Sequence, residues 1–239
     1  MDSLKSKVAF ITGGSKGIGY GVAESLLALG MRVAITSRSQ HSADEAAKKL
    51  SEKGKGEVLG VEADVRKFES QQKAVQKVMD KWGQLDVLVA NAGIGHFGSI
   101  EELSPQQWQE TIDTNLSGVF YSIKSSLEGL KKSKGYIITI SSLAGTNFFG
   151  GGSAYNASKF GLTGFTQAVM LDLRNAGIKV STIMPGSVAT HFNDHTPNEE
   201  DAWKIQKEDI GELVVDLLKM NPRTLPSKIE VRPSQPPQK

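Results

Sequence analysis

The chain has 239 residues, a length that suits one sizeable α/β domain. Its formal charge of +2 is too small for a nucleic-acid surface, and the absence of cysteine excludes disulfides, thiol catalysis and cysteine-ligated metals. No apolar run approaches the roughly 20 residues that span a bilayer. The apolar run after the polar start breaks too early for a signal peptide. We therefore expect a cytoplasmic protein without membrane or nucleic-acid partners.

A strand and a glycine-rich turn open the chain. Residues 7–12 form an apolar run typical of a buried strand, and the sequence Gly13-Gly14-Ser15-Lys16-Gly17-Ile18-Gly19 follows at once. A helical pattern continues to Leu29 and ends at Gly30. Glycines at a strand-to-helix turn let backbone N–H groups approach a pyrophosphate, and the helix N-terminus favours its charge. The alternative is a plain tight turn, which the strand–turn–helix context disfavours.

The second strand, residues 31–36, ends in Ser37-Arg38. An acidic residue at this point would accept hydrogen bonds from the adenosine ribose, whereas an arginine offers a fork for a 2′-phosphate. Ser37 removes the acid and Arg38 adds the cation, and Lys16 is placed to approach the same phosphate. The pattern favours NADP(H) over NAD(H). The alternative is that Arg38 and Lys16 are solvated surface charges.

Strands and helices then alternate along the chain. A capping box at Ser42 predicts a helix to about residue 52. Another capping box at Ser104, with Pro105 and Gln107, begins a helix that carries Asn115. The apolar residues of this helix that should point inward are Trp108, Ile112, Leu116 and Val119. The remaining expected elements are strands at 57–61, 85–90, 134–140 and 178–184, helices at 68–82, 153–175 and 208–220, and an edge strand at 227–232 before a proline-rich tail, 233–239.

Tyr155 and Lys159 lie four positions apart on the helix that begins at Ser153. Their side chains share one face, and an ammonium beside a phenol favours the phenolate, so we expect a lowered pKa for Tyr155 and a role as general acid or base. Ser142 follows the strand 134–140, where open α/β sheets bind ligands. The alternative is a surface tyrosine packed on a lysine stem.

Taken together, these motifs resemble the short-chain dehydrogenase/reductase family over residues 5–232. They are Thr12 to Gly19, Asn91-Ala92-Gly93, Asn115, Ser142, Tyr155 with Lys159, and Pro185-Gly186, in the family's order and approximate spacing. The resemblance, together with the alternation of elements, implies a single Rossmann-type α/β domain over residues 1–239. Its doubly wound parallel sheet should have about seven strands with helices on both faces.

The resemblance implies NADPH-dependent reduction of a ketone or aldehyde. Tyr155 would donate a proton to the carbonyl oxygen, and Lys159 would lower the Tyr155 pKa and hold the nicotinamide ribose. Ser142, thirteen residues before Tyr155 as in the family, would bind the carbonyl oxygen. Asn115 would anchor a water in a proton relay.

The resemblance also implies the cofactor contacts. They are the turn residues Gly13, Ser15, Lys16, Gly17, Ile18 and Gly19, then Ser37 and Arg38, Asp64 and Val65 at the adenine, Asn91, Ala92 and Gly93 at the adenosine ribose, Tyr155 and Lys159, and Pro185, Gly186, Val188 and Thr190 near the nicotinamide. Residues 187–206 would form a lid over a small-molecule carbonyl or alcohol substrate.

Two other functions remain open. The chain is similar to 3-oxoacyl-[acyl-carrier-protein] reductases, but residues 229–238 lack the glycine-rich final strand of that branch. A non-catalytic NADP(H) sensor would have no evident need for the proton donor. The family resemblance also implies a homo-oligomer, a dimer or tetramer, through the Trp108 and Phe160 helices. His191 and His195 have a helical metal spacing but no evident third ligand, so we expect no metal.

Overall fold

The structure, a computed structural model, describes residues 4–235, and only the backbone of Asp194. Of the expected tail, residues 236–239 lie outside the described residues. Seven strands form one parallel sheet in the order β3-β2-β1-β4-β5-β6-β7. They are β1 (Val8–Ile11), β2 (Arg32–Ser37), β3 (Val58–Glu62), β4 (Val87–Ala90), β5 (Tyr136–Ile140), β6 (Lys179–Pro185) and β7 (Lys228–Val231). The predicted doubly wound sheet is confirmed, with β7 at its edge.

Helices cover both faces of the sheet. They are α1 (Gly17–Ala28), α2 (Gln40–Ser51), α3 (Phe68–Trp82), α4 (Pro105–Ile112), α5 (Gly118–Ser133), α6 (Ser153–Leu173) and α7 (Lys207–Lys219). Side chains of a strand point alternately to its two faces. In β1, Ala9 and Ile11 therefore pack with α1, α2 and α7, whereas Val8 and Phe10 pack with α3, α5 and α6.

The strand order reverses direction at β1. The chain runs outward from β1 through β2 to β3, returns to β4 on the other side of β1, and then runs outward to β7. Ligands of open α/β sheets bind in the crevice at this reversal, beyond the carboxyl ends of the strands. The glycine turn after β1 and residues 91–93 after β4 both lie at that point.

Three local expectations were wrong. Helix α2 begins earlier than expected, because Ser39 rather than Ser42 is its N-cap and accepts a hydrogen bond from the Ser42 amide. The helix capped by Ser104 is interrupted by a π-helical turn at Asp113–Ser117, so α4 and α5 are separate segments. Trp108 does not point inward, since it is 41% exposed.

Within residues 4–235, no helix is both long enough and apolar enough to cross a membrane.

Candidate active site

The glycine turn between β1 and α1 is shaped for close approach of a ligand to the backbone. Gly13 and Gly17 have φ values of 64° and 59°, in the left-handed region that favours glycine. A side chain at Gly19 would lie 2.5 Å from Asn91 Nδ2 and 2.7 Å from the Gly13 carbonyl oxygen. The N-cap of α1, Lys16, makes no side-chain hydrogen bond to the first turn. The helix N-terminus therefore presents backbone amides with no capping side chain over them.

Asn91 supports this turn from the neighbouring strand. Its side-chain amide donates hydrogen bonds to the carbonyl oxygens of Thr12 at 2.9 Å and Gly13 at 3.1 Å. The backbone amides of Asn91 and Ala92 both donate to Thr12 Oγ1, at 3.0 and 3.1 Å. Both donors of the Asn91 side chain are therefore used inside the protein, where they support the glycine turn. The expected contact of Asn91 with the adenosine ribose stays a prediction.

The residues expected at the far end of a dinucleotide lie at the ends of β2 and β3. Ser37 ends β2, and Arg38 after it is exposed, as is Lys16 in the glycine turn. Neither cation forms an ion pair with any of the described residues. Ser15 and Ile18 are partly buried in the same turn.

Asp64 and Val65 follow β3 and have different environments. The guanidinium of Arg66 donates to both carboxylate oxygens of Asp64, and this lowers the Asp64 pKa. Val65 is buried, and its side chain lies against the first residue of α5, Gly118. If adenine contacts the Asp64 carboxylate, that carboxylate must bind adenine and Arg66 at the same time.

Ser142, Tyr155 and Lys159 come together at the carboxyl end of β5. Ser142 lies two residues after the strand in an extended conformation, and its hydroxyl accepts a hydrogen bond from the Ala144 amide at 3.1 Å. Lys159 is 4% exposed, and its Nζ donates to the Ile140 carbonyl oxygen at 3.1 Å. The same Nζ lies 5.6 Å from the centre of the Tyr155 ring.

The pKa shifts of this group follow from burial. Burial raises the pKa of Tyr155, and the Ser142 hydroxyl beside it opposes the rise by a smaller amount. Burial also lowers the pKa of Lys159 to about 8. The expected lowering of the Tyr155 pKa is therefore wrong for the protein alone, because desolvation of the phenol outweighs the influence of its neighbours. Tyr155 holds its proton at neutral pH, as a general acid must.

Asn115 lies in the π-helical turn and is fully buried. Its side chain exchanges two hydrogen bonds with the backbone of Ile94, at 2.8 and 2.9 Å, and donates a third to Ser158 Oγ at 3.0 Å. Gly93 lies between Asn115 and Lys159, since a Cβ there would be 3.3 Å from Asn115 Oδ1 and 3.7 Å from Lys159 Nζ. Asn115 thus ties the loop after β4 to the helix that carries Tyr155.

The segment after β6 closes the site from the other side. Gly186, following Pro185, donates to the Val231 carbonyl oxygen at 2.8 Å. Val188 forms a β-bridge with Ile205, and Thr190 lies against Gly17, within 3.4 Å of the Cβ position there. The segment therefore lies between the glycine turn and the cleft at Ser142 and Tyr155.

Residues 191–206 pack around one buried carboxylate. Asp201 is 4% exposed, and its side chain contacts His195, Lys204 and the Asn198 amide. Lys204 and His195 lower the pKa of Asp201 well below its usual range. Among the described residues no group of three or more His, Asp or Glu is arranged to hold a metal ion.

A cleft of about 650 Å³ opens at Ser142 and Tyr155 and is lined by Phe148, Phe149 and Trp203. The aromatic cluster beside it was not predicted from the sequence. Phe97 and Phe192 pack on the Tyr155 ring at 5.3 and 5.7 Å between ring centres, and Phe149 packs on Phe97 at 6.0 Å. These aromatic residues come from glycine-rich or polar loops, where the sequence has no periodic pattern to place them. In one of these loops, His96 pairs with Glu110 at 3.2 Å.

The sequence of the chain also matches a known protein family with this fold. The model of the short chain dehydrogenase family matches residues 7–201. The chain belongs to this family. It is therefore an oxidoreductase that acts on CH–OH or C=O groups.

Two curated relatives illustrate the range of substrates in the family. The 3-oxoacyl-[acyl-carrier-protein] reductase of Escherichia coli is 34% identical over 212 residues, which cover 88% of this chain and 85% of the relative. The trans-4-hydroxycyclohexanecarboxylate dehydrogenase of Sinomonas cyclohexanicum is 37% identical over 194 residues, covering 79% of this chain and 75% of the relative.

Two solved structures share this fold over nearly the whole chain. An alcohol dehydrogenase from Thermococcus sibiricus, complexed with 5-hydroxy-NADP, superposes with a TM-score of 0.90 at 31% identity, covering 98% of this chain and 99% of that one. A 3-ketoacyl-(acyl-carrier-protein) reductase from Brucella melitensis, complexed with NADH, has a TM-score of 0.87 at 25% identity, covering 97% and 99%. Both nicotinamide cofactors are thus represented among proteins of this fold.

Proposed function

We propose that this short-chain dehydrogenase is an NADPH-dependent carbonyl reductase in which Tyr155 is the proton donor. The observation that carries the proposal is that the cleft at Ser142 and Tyr155 lies near the glycine turn. Ser142 and Tyr155 line one cleft, Gly93 lies beside Lys159, and Thr190 lies against Gly17 of the glycine turn. The positive-φ glycines and the uncapped start of α1 fit a dinucleotide pyrophosphate.

The residues of the chain divide the work of carbonyl reduction. NADPH, when bound, supplies the hydride. Ser142 Oγ donates a hydrogen bond to the carbonyl oxygen, and the Tyr155 hydroxyl delivers its proton to the same atom as negative charge develops there. Lys159 places a cation behind Tyr155 and hydrogen-bonds the nicotinamide ribose. Asn115 holds the Ile94 backbone and orders the water path to Lys159. Residues 187–206 act as the lid, with Phe192 over Tyr155 excluding bulk water.

The cofactor contacts follow the same layout. Gly13, Ser15, Gly17, Ile18 and Gly19 hold the pyrophosphate, Ala92 and Gly93 let the adenosine ribose pass, and Pro185, Gly186, Val188 and Thr190 border the nicotinamide. Asp64 and Val65 contact the adenine. Arg38 and Lys16 bind the 2′-phosphate, which favours NADPH because both cations are exposed and neither pairs with an acid in residues 4–235.

The test is the loss of absorbance at 340 nm with NADPH, and separately with NADH, against open-chain, cyclic and aromatic ketones, aldehydes and a 3-oxoacyl thioester. The proposal expects oxidation of NADPH with one class of carbonyl compound. Arg38→Gln should lower the preference for NADPH over NADH by about 10- to 100-fold, the worth of one charge-assisted contact, while Arg223→Gln, an exposed change outside the site, leaves it unaltered. A preference for NADH in the unaltered protein would contradict the cofactor assignment.

The second candidate is reduction of a 3-oxoacyl thioester, favoured by the Escherichia coli relative and the Brucella melitensis structure. A thioester that outperforms every free ketone would select it. NADPH binding without turnover of any carbonyl compound would instead favour a sensor.

The chain also has a face suited to self-association. Trp108 on α4, Phe120 on α5 and Phe160 on α6 are each more than 40% exposed. Phe120 packs on Phe165 of α6 with 6.2 Å between ring centres, so α5 and α6 share this apolar surface. We assign it to a homo-oligomer contact, since exposed patches of large apolar side chains mark interaction surfaces.

A further inference from the structure

The substrate cleft combines an aromatic wall with one charged side chain. Phe148, Phe149, Trp203 and Tyr155 supply aromatic surface, and Arg232 is the one charged residue lining the cleft within residues 4–235. Arg232 directly follows β7, in the segment where the sequence departs from the 3-oxoacyl-[acyl-carrier-protein] reductases.

Three contacts fix the strand end that carries Arg232 next to the catalytic serine. The Val231 carbonyl oxygen accepts the Gly186 amide at 2.8 Å, and Pro233 Cδ lies 3.2 Å from the Cβ position of Gly186. Thr146, in the turn that follows Ser142, donates to Glu230 at 3.4 Å. Arg232 is therefore a positioned part of the cleft.

The guanidinium of Arg232 has hydrogen-bond donors that are available to a ligand. One nitrogen, Nη2, donates to Glu230 Oε2 at 3.0 Å, and the described residues accept no other hydrogen bond from this side chain. The side chains of this pair are 58% and 38% exposed. An exposed pair of this kind contributes at most about 1 kcal/mol. A carboxylate entering the cleft can thus take the open side of the planar fork in a bidentate contact.

We propose that the substrate is a carbonyl compound with an apolar ring near the reacting carbon and a carboxylate at its far end, which Arg232 binds. The ring packs on the aromatic wall, the carbonyl oxygen meets Ser142 and Tyr155, and Arg232 holds the carboxylate. This proposal rests on the function proposed above. A cleft of about 650 Å³ has room for such a molecule.

The first test compares two ketones that differ only in charge, 4-acetylbenzoate and 4-acetylbenzamide. We expect kcat/KM to favour the carboxylate by at least about tenfold, mainly through KM, because a charge-assisted bidentate contact is worth more than a neutral one. Arg232→Gln should bring the ratio close to one. Arg232→Lys should keep part of it, and Arg223→Gln, an exposed arginine outside the cleft, should not change it.

Substitution of Glu230 provides a second test of the anion site. Its carboxylate competes for Arg232, so Glu230→Gln should raise the preference for 4-acetylbenzoate severalfold. Equal kcat/KM for the two ketones, an equal loss for both in Arg232→Gln, or faster reduction of a 3-oxoacyl thioester than of either ketone would each overturn the proposal while leaving carbonyl reduction intact.

A binding measurement separates this proposal from the proposed activity. Isothermal titration with 4-(1-hydroxyethyl)benzoate and the matching amide, with NADPH present so that the alcohol is not oxidised, needs no turnover. At least tenfold tighter binding of the carboxylate, lost in Arg232→Gln, supports the anion site even if neither ketone is reduced. Equal binding of both compounds contradicts it.

Discussion

The buried ammonium of Lys159 lowers the stability of the folded protein. Its ammonium is buried, with the Ile140 carbonyl oxygen as its partner at 3.1 Å. Burial disfavours the charged form and lowers the pKa of Lys159 from 10.5 to about 8. The unfolded chain therefore binds this proton more tightly than the folded chain does.

The free-energy cost of burying the Lys159 ammonium depends on pH. Below pH 8 both states are protonated and the folded state carries the full desolvation cost, which fades between pH 8 and 10.5. A pKa difference of this size corresponds to about 3 kcal/mol, from which the Ile140 carbonyl left without its partner subtracts about 1 kcal/mol. Lys159→Met should thus raise the free energy of unfolding at pH 7 by about 1–3 kcal/mol, measured by urea denaturation.

The gain from Lys159→Met should shrink as the pH approaches 10.5. Lys131→Met, at an exposed position, is the matched control and should show no such change. A Lys159→Met protein that is less stable than the unaltered chain at pH 7 would show that the ammonium is well compensated in its pocket.

The sequence predicted the positions of these residues better than their chemistry. The spacing of Tyr155 and Lys159 places them on one helical face wherever the helix packs, so helix geometry alone predicts their proximity. The direction of the Tyr155 pKa shift depends on how much water the surrounding loops exclude. Phe97 and Phe192, which pack on the Tyr155 ring, come from loops with no periodic signal.

At the scale of elements, the glycine turn is the most constrained connection in the site. Gly19 is in the first turn of α1, and a Cβ there would lie 2.5 Å from Asn91 Nδ2 and 2.7 Å from the Gly13 carbonyl oxygen. A methyl group there would separate Asn91 from its hydrogen bonds to Thr12 and Gly13. The strand-turn-helix order was predicted from the apolar run, the glycines and the helical pattern that follow one another in the sequence. The support from Asn91 requires the pairing of β1 with β4.

Gly19→Ala should therefore destabilise the fold by about 2–4 kcal/mol, through overpacking and lost hydrogen bonds. It should also weaken NADPH binding at least tenfold in the protein that remains folded. Thermal unfolding and fluorescence titration with NADPH measure the two effects. Gly150→Ala is the matched control, since no atom lies within 4 Å of a Cβ at that position. Equal melting temperatures for the two variants would refute the packing argument.

The π-helical turn at Asp113–Ser117 is the element that the sequence did not predict. The helical pattern of residues 105–133 has no break in its composition, and the turn is apparent only from the burial of Asn115 and its three hydrogen bonds to Ile94 and Ser158. Such bulges occur frequently at functional sites.

For the whole molecule, the alternation of strands and helices predicted the doubly wound sheet because parallel strands need helical crossovers. Which helical faces remain exposed could not be predicted, since α4, α5 and α6 carry apolar residues on both their inner and outer sides. Trp108 was assigned to the core and is 41% exposed.

If the surface formed by Trp108, Phe120 and Phe160 joins subunits, Phe120→Glu should lower the molar mass in solution to that of the 25.7 kDa monomer. A buried carboxylate without a partner would oppose the contact. Light scattering coupled to size-exclusion chromatography measures the mass. Ile100→Glu changes a more exposed apolar residue outside this surface and should leave the mass unchanged. An unchanged oligomer in Phe120→Glu would place the contact elsewhere.

The most direct test of the account is steady-state reduction of the preferred carbonyl compound by Tyr155→Phe, with NADPH titrated separately. We expect an NADPH dissociation constant within about threefold of that of the unaltered protein and a kcat lower by about 10²- to 10⁴-fold, the usual contribution of a general acid. Tyr121→Phe, which removes a hydroxyl from a ring packed on Phe68 and Phe120, should retain full activity. Turnover by Tyr155→Phe at the rate of the unaltered protein would contradict the assignment of Tyr155 as the proton donor.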